Sequence, residues 1–254
     1  PLIGNPAAAP LGLMAQVLTI TPILFLSYAW CVVCAGVQTV ARRKFDIRQW
    51  VLVTDWNPLT IYFYDECYAR FSAAEYSDSD ADLENEHVHL VNNSVAKNSD
   101  DFHTRVVAEN GEEIKDCMWT MAQMAAYMKF KAFERGIFKG HDAAAAAPAA
   151  PAAGASGGGG GAAAAATAAA VDRSQGEDVF ETRCRARMRE IARCALMSAQ
   201  GAVEHRKNSW ELYGYDYMFD DDFAPWLIEI NSSPACDYST GVTEAFVPRA
   251  LEDV

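Results

Sequence analysis

Four short runs rich in β-branched and aromatic residues punctuate the chain and predict strands. Residues 50–54 and 60–64 are separated by the turn-like Asp55-Trp56-Asn57-Pro58. Residues 212–219 and 225–231 are separated by the polar tip Asp220-Asp221-Asp222-Phe223. Elsewhere the apolar spacing changes to three and four. Residues 118–133 predict a helix with Met121, Met124, Met128 and Ala132 on one stripe, and Phe180, Cys184, Met188, Ile191 and Ala195 mark a second. The second helix interleaves Arg183, Arg185, Arg187, Arg189 and Arg193, whose plain reading is a solvated face and whose sharper reading is a contact surface for an acidic partner. Residues 75–86, with Glu75, Asp78, Asp80, Asp82, Glu84 and Glu86, predict an exposed acidic loop. The mixture is α+β, mainly antiparallel sheet flanked by helices.

The last two runs fit an antiparallel hairpin in which paired residue numbers sum to 445. Tyr215 then faces Ile230, Tyr217 faces Ile228 and Phe219 faces Trp226, all on one apolar face. On the other face Asp216 lies opposite Glu229, and Asn231 opposite Gly214. Directly opposed like charges repel, so the Asp216–Glu229 pair asks for a cation between them. Two carboxylates and the Asn231 amide oxygen form a hard-oxygen set suited to Mg²⁺.

Two segments stand outside this pattern. Residues 11–37 are uncharged and long enough to cross a bilayer, and Arg42-Arg43-Lys44 follows them as a cytoplasmic flank would. Buried strands or an aberrant N-terminus are the competing readings. Residues 143–170 are nearly all Ala, Gly and Pro and predict a disordered insertion without a core of its own. The expected organisation is an atypical apolar segment at 1–41, an ordered domain at 42–142 and 171–254, and the insertion at 143–170.

Charge and cysteine content narrow the classes. The net charge of −13 argues against a nucleic-acid binder. Seven scattered cysteines point to a reducing compartment, not a disulfide scaffold, and Cys31-Val-Val-Cys34 lies in an apolar run without a second ligand pair nearby.

Three stretches carry a resemblance. "RKFDIRQWVLVTDWNPLTIYFYDECYARFS" at 43–72, "HLVNNSVAK" at 89–97 and "KNSWELYGYDYMF" with the hairpin that follows, within 206–240, resemble the tubulin tyrosine ligase-like family of ATP-grasp ligases. Phe-Asp-Ile-Arg-Gln-Trp, Thr-Asp-Trp-Asn-Pro-Leu-Thr and Glu-Ile-Asn-Ser-Ser-Pro look most like its tubulin monoglycylase branch. The resemblance implies a partial ATP-grasp-like fold, with Asp216, Glu229 and Asn231 holding Mg²⁺ against the ATP phosphates. It implies that Lys44 and Asp46 line the nucleotide site and that Arg48 and Arg70 lie near the γ-phosphate and the incoming amino acid. Asn92 falls where the family's His-Leu-x-Asn motif places a substrate contact, and Val91 stands where many members carry Thr. On the residues alone, Asp46 and Arg48 share one side of a strand over 44–53 while Phe45 and Ile47 turn to the core.

The implied reaction is ATP-dependent addition of glycine to glutamate side chains of tubulin tails through an acyl phosphate, in the cytoplasm, on the cytoskeleton or the axoneme of a cilium or flagellum. A polyglutamylase or tyrosine ligase, or a truncated, non-catalytic microtubule-binding module, are the alternatives. The segment before Arg42 has no lysine to face a phosphate, so the N-terminal ATP-grasp half is expected to be missing. Asp216→Ala or Glu229→Gln is expected to abolish ligation with the fold intact. Binding to acidic tubulin tails is expected to use Arg42 to Lys44 and the arginine helix.

Overall fold

In the computed structural model, which describes residues 38–77, 79–137 and 176–254, the centre of the sheet is a long antiparallel hairpin of β2 (Arg43–Trp56) and β3 (Leu59–Phe71). The hairpin is longer than its sequence signal because Asp46, Arg48 and Arg70 belong to strand interiors. β1 (Thr39–Val40) pairs with the start of β2 through a tight turn at Ala41 and Arg42, both at positive φ. Two short helices follow, α1 (Glu86–His89) and α2 (Asn93–Ala96), then a small ladder of β4 (Val106–Val107) and β5 (Glu113–Ile114).

β6 (Met118–Thr120) pairs with β3, β7 (Glu211–Phe219) with β2, and β8 (Pro225–Asn231) with β7, giving the spatial order β6-β3-β2-β7-β8, every pairing antiparallel. Three further helices cover the sheet: α3 (Met121–Glu134), α4 (Arg185–Gln200) and α5 (Gly241–Glu252).

Alternation sorts β2 and β7 onto two faces. Phe45, Ile47, Val51, Val53, Tyr215, Tyr217 and Phe219 are buried in the main core with Met124 and Met128 of α3 and Met188 and Ala192 of α4. Phe71 and Trp119 meet there edge to face at 5.0 Å. The opposite face divides in two. Trp50, Tyr68 and Met118 pack under Phe246, Val247 and Ala250 of α5, with Phe246 edge-on to Trp50 and Tyr68, each at 5.1 Å. Burying a side chain such as Phe246 contributes roughly 1.5–3 kcal/mol. The charged residues of β2, β3 and β7 gather on the remainder of that face.

Three sequence expectations change. Residues 118–133 do not form one helix: Met118–Thr120 pairs with Tyr68–Arg70 as β6, and α3 starts after Thr120, whose side chain accepts from the Gln123 N–H while Gln123 Oε1 accepts from the Thr120 N–H at 3.1 Å. That reciprocal cap satisfies two otherwise unpaired donors and fixes the boundary. In the second helix Phe180, Cys184 and Met188 are buried as expected, but a single π turn over Phe180–Cys184 precedes α4, and Ala192 and Leu196 lie deeper than Ile191 and Ala195.

The β7–β8 hairpin follows the expected register only at its open end. Gly214 pairs with Asn231, Tyr215 with Ile230 and Asp216 with Glu229, but Tyr217 then pairs with Leu227 and Phe219 with Pro225. Ile228 is the extra residue of a bulge. Leu227 and Glu229 would share a face in a regular strand; the bulge lets Leu227 pack against the core while Glu229 stays beside Asp216. Trp226 is thereby opposite Met218, its indole N–H donating to Asp220 Oδ2 at 2.9 Å, and Ile230 is 39% exposed and not a core residue.

β2 and β3 also slip register, between Gln49 and Val51, where three residues of β3 oppose one of β2. The Gln49 side chain, fully buried, fills this irregularity and donates to the carbonyls of Trp50 at 2.9 Å and Tyr64 at 2.7 Å. No helix among the described residues is long and apolar enough to cross a membrane; residues 11–37, Cys31, Cys34, Asp78 and the insertion at 143–170 lie outside them.

Candidate active site

The pairing of β3, β2, β7 and β8 brings six charged or amide side chains onto one face. Asp46 is opposite Arg70, Arg48 opposite Asp216, Asp216 opposite Glu229, and Asn231 two residues further along β8. Arg48 donates through Nε to Asp216 Oδ1 at 2.5 Å and through Nη2 to Oδ2 at 3.0 Å. Arg70 grips Asp46 in the same two-pronged way, at 2.9 and 2.5 Å, and its Nη2 also lies 2.8 Å from Asp216 Oδ2. Asn231 Nδ2 donates to Glu229 Oε1 at 3.1 Å and to Asp216 Oδ2 at 3.3 Å.

All four members of the Asp46–Arg70–Asp216–Arg48 chain are buried. Charges there are tolerable only because each guanidinium is matched by a carboxylate. Burial pushes the Asp216 carboxyl up, but Arg48 and Arg70 outweigh it and hold Asp216 below the usual carboxylate range. Burial dominates at Asp46, whose carboxyl is raised although Arg70 pulls it down. Glu229 is raised as well, first by burial and then by its hydrogen bond with Asp216.

Asp216, Glu229 and Asn231 converge on one volume, so the donor set fits a hard divalent cation: two carboxylates and an amide whose oxygen end can replace its nitrogen by rotation. Among the described residues no three His, Cys, Asp or Glu side chains cluster tightly enough to hold a metal, so the amide is needed to complete this set. Asp216 also neutralises two buried arginines, so Asp216→Ala would leave Arg48 without a carboxylate and Arg70 with Asp46 alone.

Lys44 and Asn92 take different surroundings. Lys44 Nζ lies 3.1 Å from His89 Nδ1 and 4.5 Å from the centre of the Tyr76 ring, and burial lowers its pKa. A lysine ammonium can only donate, so His89 Nδ1 accepts and Nε2–H donates to the Asp82 carbonyl at 2.9 Å. Asn92 is the residue before α2, and its neighbour Asn93 donates to Ser239 Oγ at 2.7 Å, tying that turn to the segment after β8.

Sequence reasoning placed Gly214 opposite Asn231 and gave it no further part, whereas in the structure the Arg48 side chain lies against it. A glycine inside a strand otherwise made of large residues was the available signal.

The basic clusters are engaged internally. Arg43 is buried and donates to the Ser72 and Ala73 carbonyls, while exposed Arg42 pairs with Glu75. On and before α4, Arg183 pairs with Glu177, Arg185 with Glu181, Arg187 with Glu190 and Arg189 with Asp65. Arg193 is exposed and meets the Met197 sulfur at 3.0 Å.

A family model described as "Tubulin-tyrosine ligase family" matches residues 38–142 and 159–254. The chain is 34% identical over 218 residues to tubulin glycylase 3D of Tetrahymena thermophila, covering 85% of this chain and 16% of that protein. It is 38% identical over 214 residues to tubulin monoglycylase TTLL3 of Danio rerio (84% and 21%) and 35% identical over 213 residues to protein monoglycylase TTLL8 of Mus musculus (83% and 19%). The chain thus spans about a fifth or less of the length of each of these relatives.

Proposed function

The chain belongs to the tubulin-tyrosine ligase family, and from that premise we propose that it carries the metal-and-arginine part of the site of an ATP-dependent ligase that joins glycine to glutamate side chains of tubulin tails. The observation that carries this reading is the convergence of Arg48 and Arg70 on Asp216, beside Glu229 and Asn231. Cations for a phosphoryl group and oxygens for a divalent metal stand side by side on a rigid sheet.

The chemistry suits such a face. A glutamate carboxylate oxygen attacks the γ-phosphorus and ADP leaves, giving an acyl phosphate. The glycine amine then attacks the acyl carbon, phosphate leaves, and the amine loses a proton as the amide forms. Arg48 and Arg70, fixed by Asp216 and Asp46, supply permanent positive charge to the γ-phosphate and to the incoming amino acid's carboxylate, and need little reorganisation to do so. Asp216, Glu229 and Asn231 would hold Mg²⁺, which when bound neutralises charge on the transferring phosphoryl group. Lys44 and Asp46 would line the nucleotide, with His89 holding Lys44, and Asn92 would touch substrate.

Residues 42–142 and 171–254 would form one ligase unit interrupted by the 143–170 insertion, acting on cytoplasmic microtubules or the axoneme of a cilium or flagellum. Transfer of labelled glycine onto tubulin tests the reading, with ATP binding measured in parallel and glutamate and tyrosine as competing amino acids. Failure to bind ATP would overturn it; transfer of glutamate or tyrosine in preference to glycine would reassign the amino acid.

A further inference from the structure

Gly214 is buried at the middle of β7, between Trp50 of β2 and Asn231 of β8, and its φ is not in the left-handed region that would by itself demand glycine. The reason for glycine is space. A Cβ there would lie 3.2 Å from Arg48 Cδ, 3.3 Å from Arg48 Nε and 3.0 Å from Pro234 Cβ. Arg48 therefore runs over the bare backbone of Gly214 on its way to Asp216, and Pro234, three residues past Asn231, closes over the same spot. We propose that Gly214 is a positioning residue of the ligase site: its missing side chain is the channel that lets Arg48 lie against Asp216 while the turn carrying Asn231 packs close.

The inference rests on the ligase reading only for its functional consequence. The Arg48 stem is the neighbour that can move, because a methyl at 3.0 to 3.3 Å asks less of a flexible side chain than of a proline ring. Displacing it by a few tenths of an ångström lengthens and re-aims the Nε–Asp216 Oδ1 bond without touching the main core on the other face of the sheet.

The test uses the whole chain carrying Gly214→Ala, with thermal unfolding as a check of the fold. In ¹⁵N-arginine spectra the Arg48 Nε–H signal is expected to shift and to exchange faster with water. Nucleotide affinity is expected to fall about tenfold in the native background, as small misplacements of a binding group do, and to be unchanged in an Arg48→Ala background. An unaltered Arg48 signal in a folded variant, or an equal loss of affinity in both backgrounds, overturns the proposal. Should Gly214→Ala not fold, the double variant with Pro234→Gly, which removes the tightest contact, carries the same readouts. A native chain that binds no nucleotide overturns the ligase reading instead, and the arginine spectrum still decides Gly214.

Discussion

Arg48 crosses from β2 to β7 and grips both oxygens of Asp216, at 2.5 and 3.0 Å, with both side chains buried in the middle of the sheet. The same Asp216 takes Arg70 from β3 at 2.8 Å. One carboxylate is therefore both a candidate metal ligand and the counter-ion of two buried guanidiniums, so its structural and chemical roles cannot be varied independently.

Stability should reveal the first role. Asp216→Ala leaves two buried cations short of a partner and is expected to cost about 3–5 kcal/mol. Arg48→Met combined with Asp216→Leu should recover most of that loss, because Arg70 keeps Asp46. Urea unfolding of the single and double variants reads the difference; equal destabilisation of both would contradict it.

Metal affinity should reveal the second. Guanidinium N–H groups already engage both Asp216 oxygens, so a bare divalent cation must displace a hydrogen bond and enter beside two cations. The chain is expected to bind Mn²⁺ weakly alone and tightly with ATP, whose phosphates give Arg48 and Arg70 new partners. Arg48→Gln should bind Mn²⁺ alone better than the native chain does, as followed by electron paramagnetic resonance of the free ion. A lower affinity in the variant would refute the competition.

Acidity separates Glu229 from its neighbour. Its pKa is raised above the ordinary 4.5 by burial and by the hydrogen bond with Asp216. The folded state then holds more protons than the unfolded one in the window just above pH 4.5, so this group's contribution to stability falls as pH rises through it. Glu229→Gln removes that loss. The stability advantage of the variant over the native chain is expected to grow between pH 4 and pH 7, measured by denaturant titration, and a gap that shrinks would reverse the assignment. Glycine transfer should nevertheless be lost in this variant.

Gln49 carries a prediction away from the chemistry. Gln49→Leu keeps the volume but strips the donor from two carbonyls at the β2–β3 irregularity, and is expected to cost about 1–3 kcal/mol. Amide exchange should rise locally around Trp50 and Tyr64 in the variant. Native protection there would mean that the carbonyls have other donors.

How much of this was legible follows from the range of each signal. The pairing of Asp216 with Glu229 and of Gly214 with Asn231 could be read because polar parity is a local pattern. The bulge could not, since Leu227 and Ile228 are equally apolar and only the packed core chooses between them. The start of α3 was available in Thr120-Met-Ala-Gln123, a capping signature outweighed by the methionine stripe. The partnership of Arg48 with Asp216 joins positions 168 residues apart, which no spacing encodes, and the resemblance named the residues without their mutual contacts. The plain reading of the arginines around α4 as a solvated face holds for the exposed Arg187, Arg189 and Arg193. The partners Glu177 of Arg183, Glu181 of Arg185 and Asp65 of Arg189 come from before the helix or from another strand and were not legible.

The extra residue at Ile228 makes β8 a strand with two phases, one keyed to the core through Leu227 and one to the charged face through Glu229. A single-residue deletion there forces a choice between them: either a carboxylate is driven into the tyrosine-lined interior, or an apolar side chain takes its place beside Asp216. For anyone transplanting or shortening this hairpin, the length of the strand therefore matters as much as its composition, and an alignment that closes the bulge with a gap will assign the candidate oxygen ligands to the wrong side of the sheet.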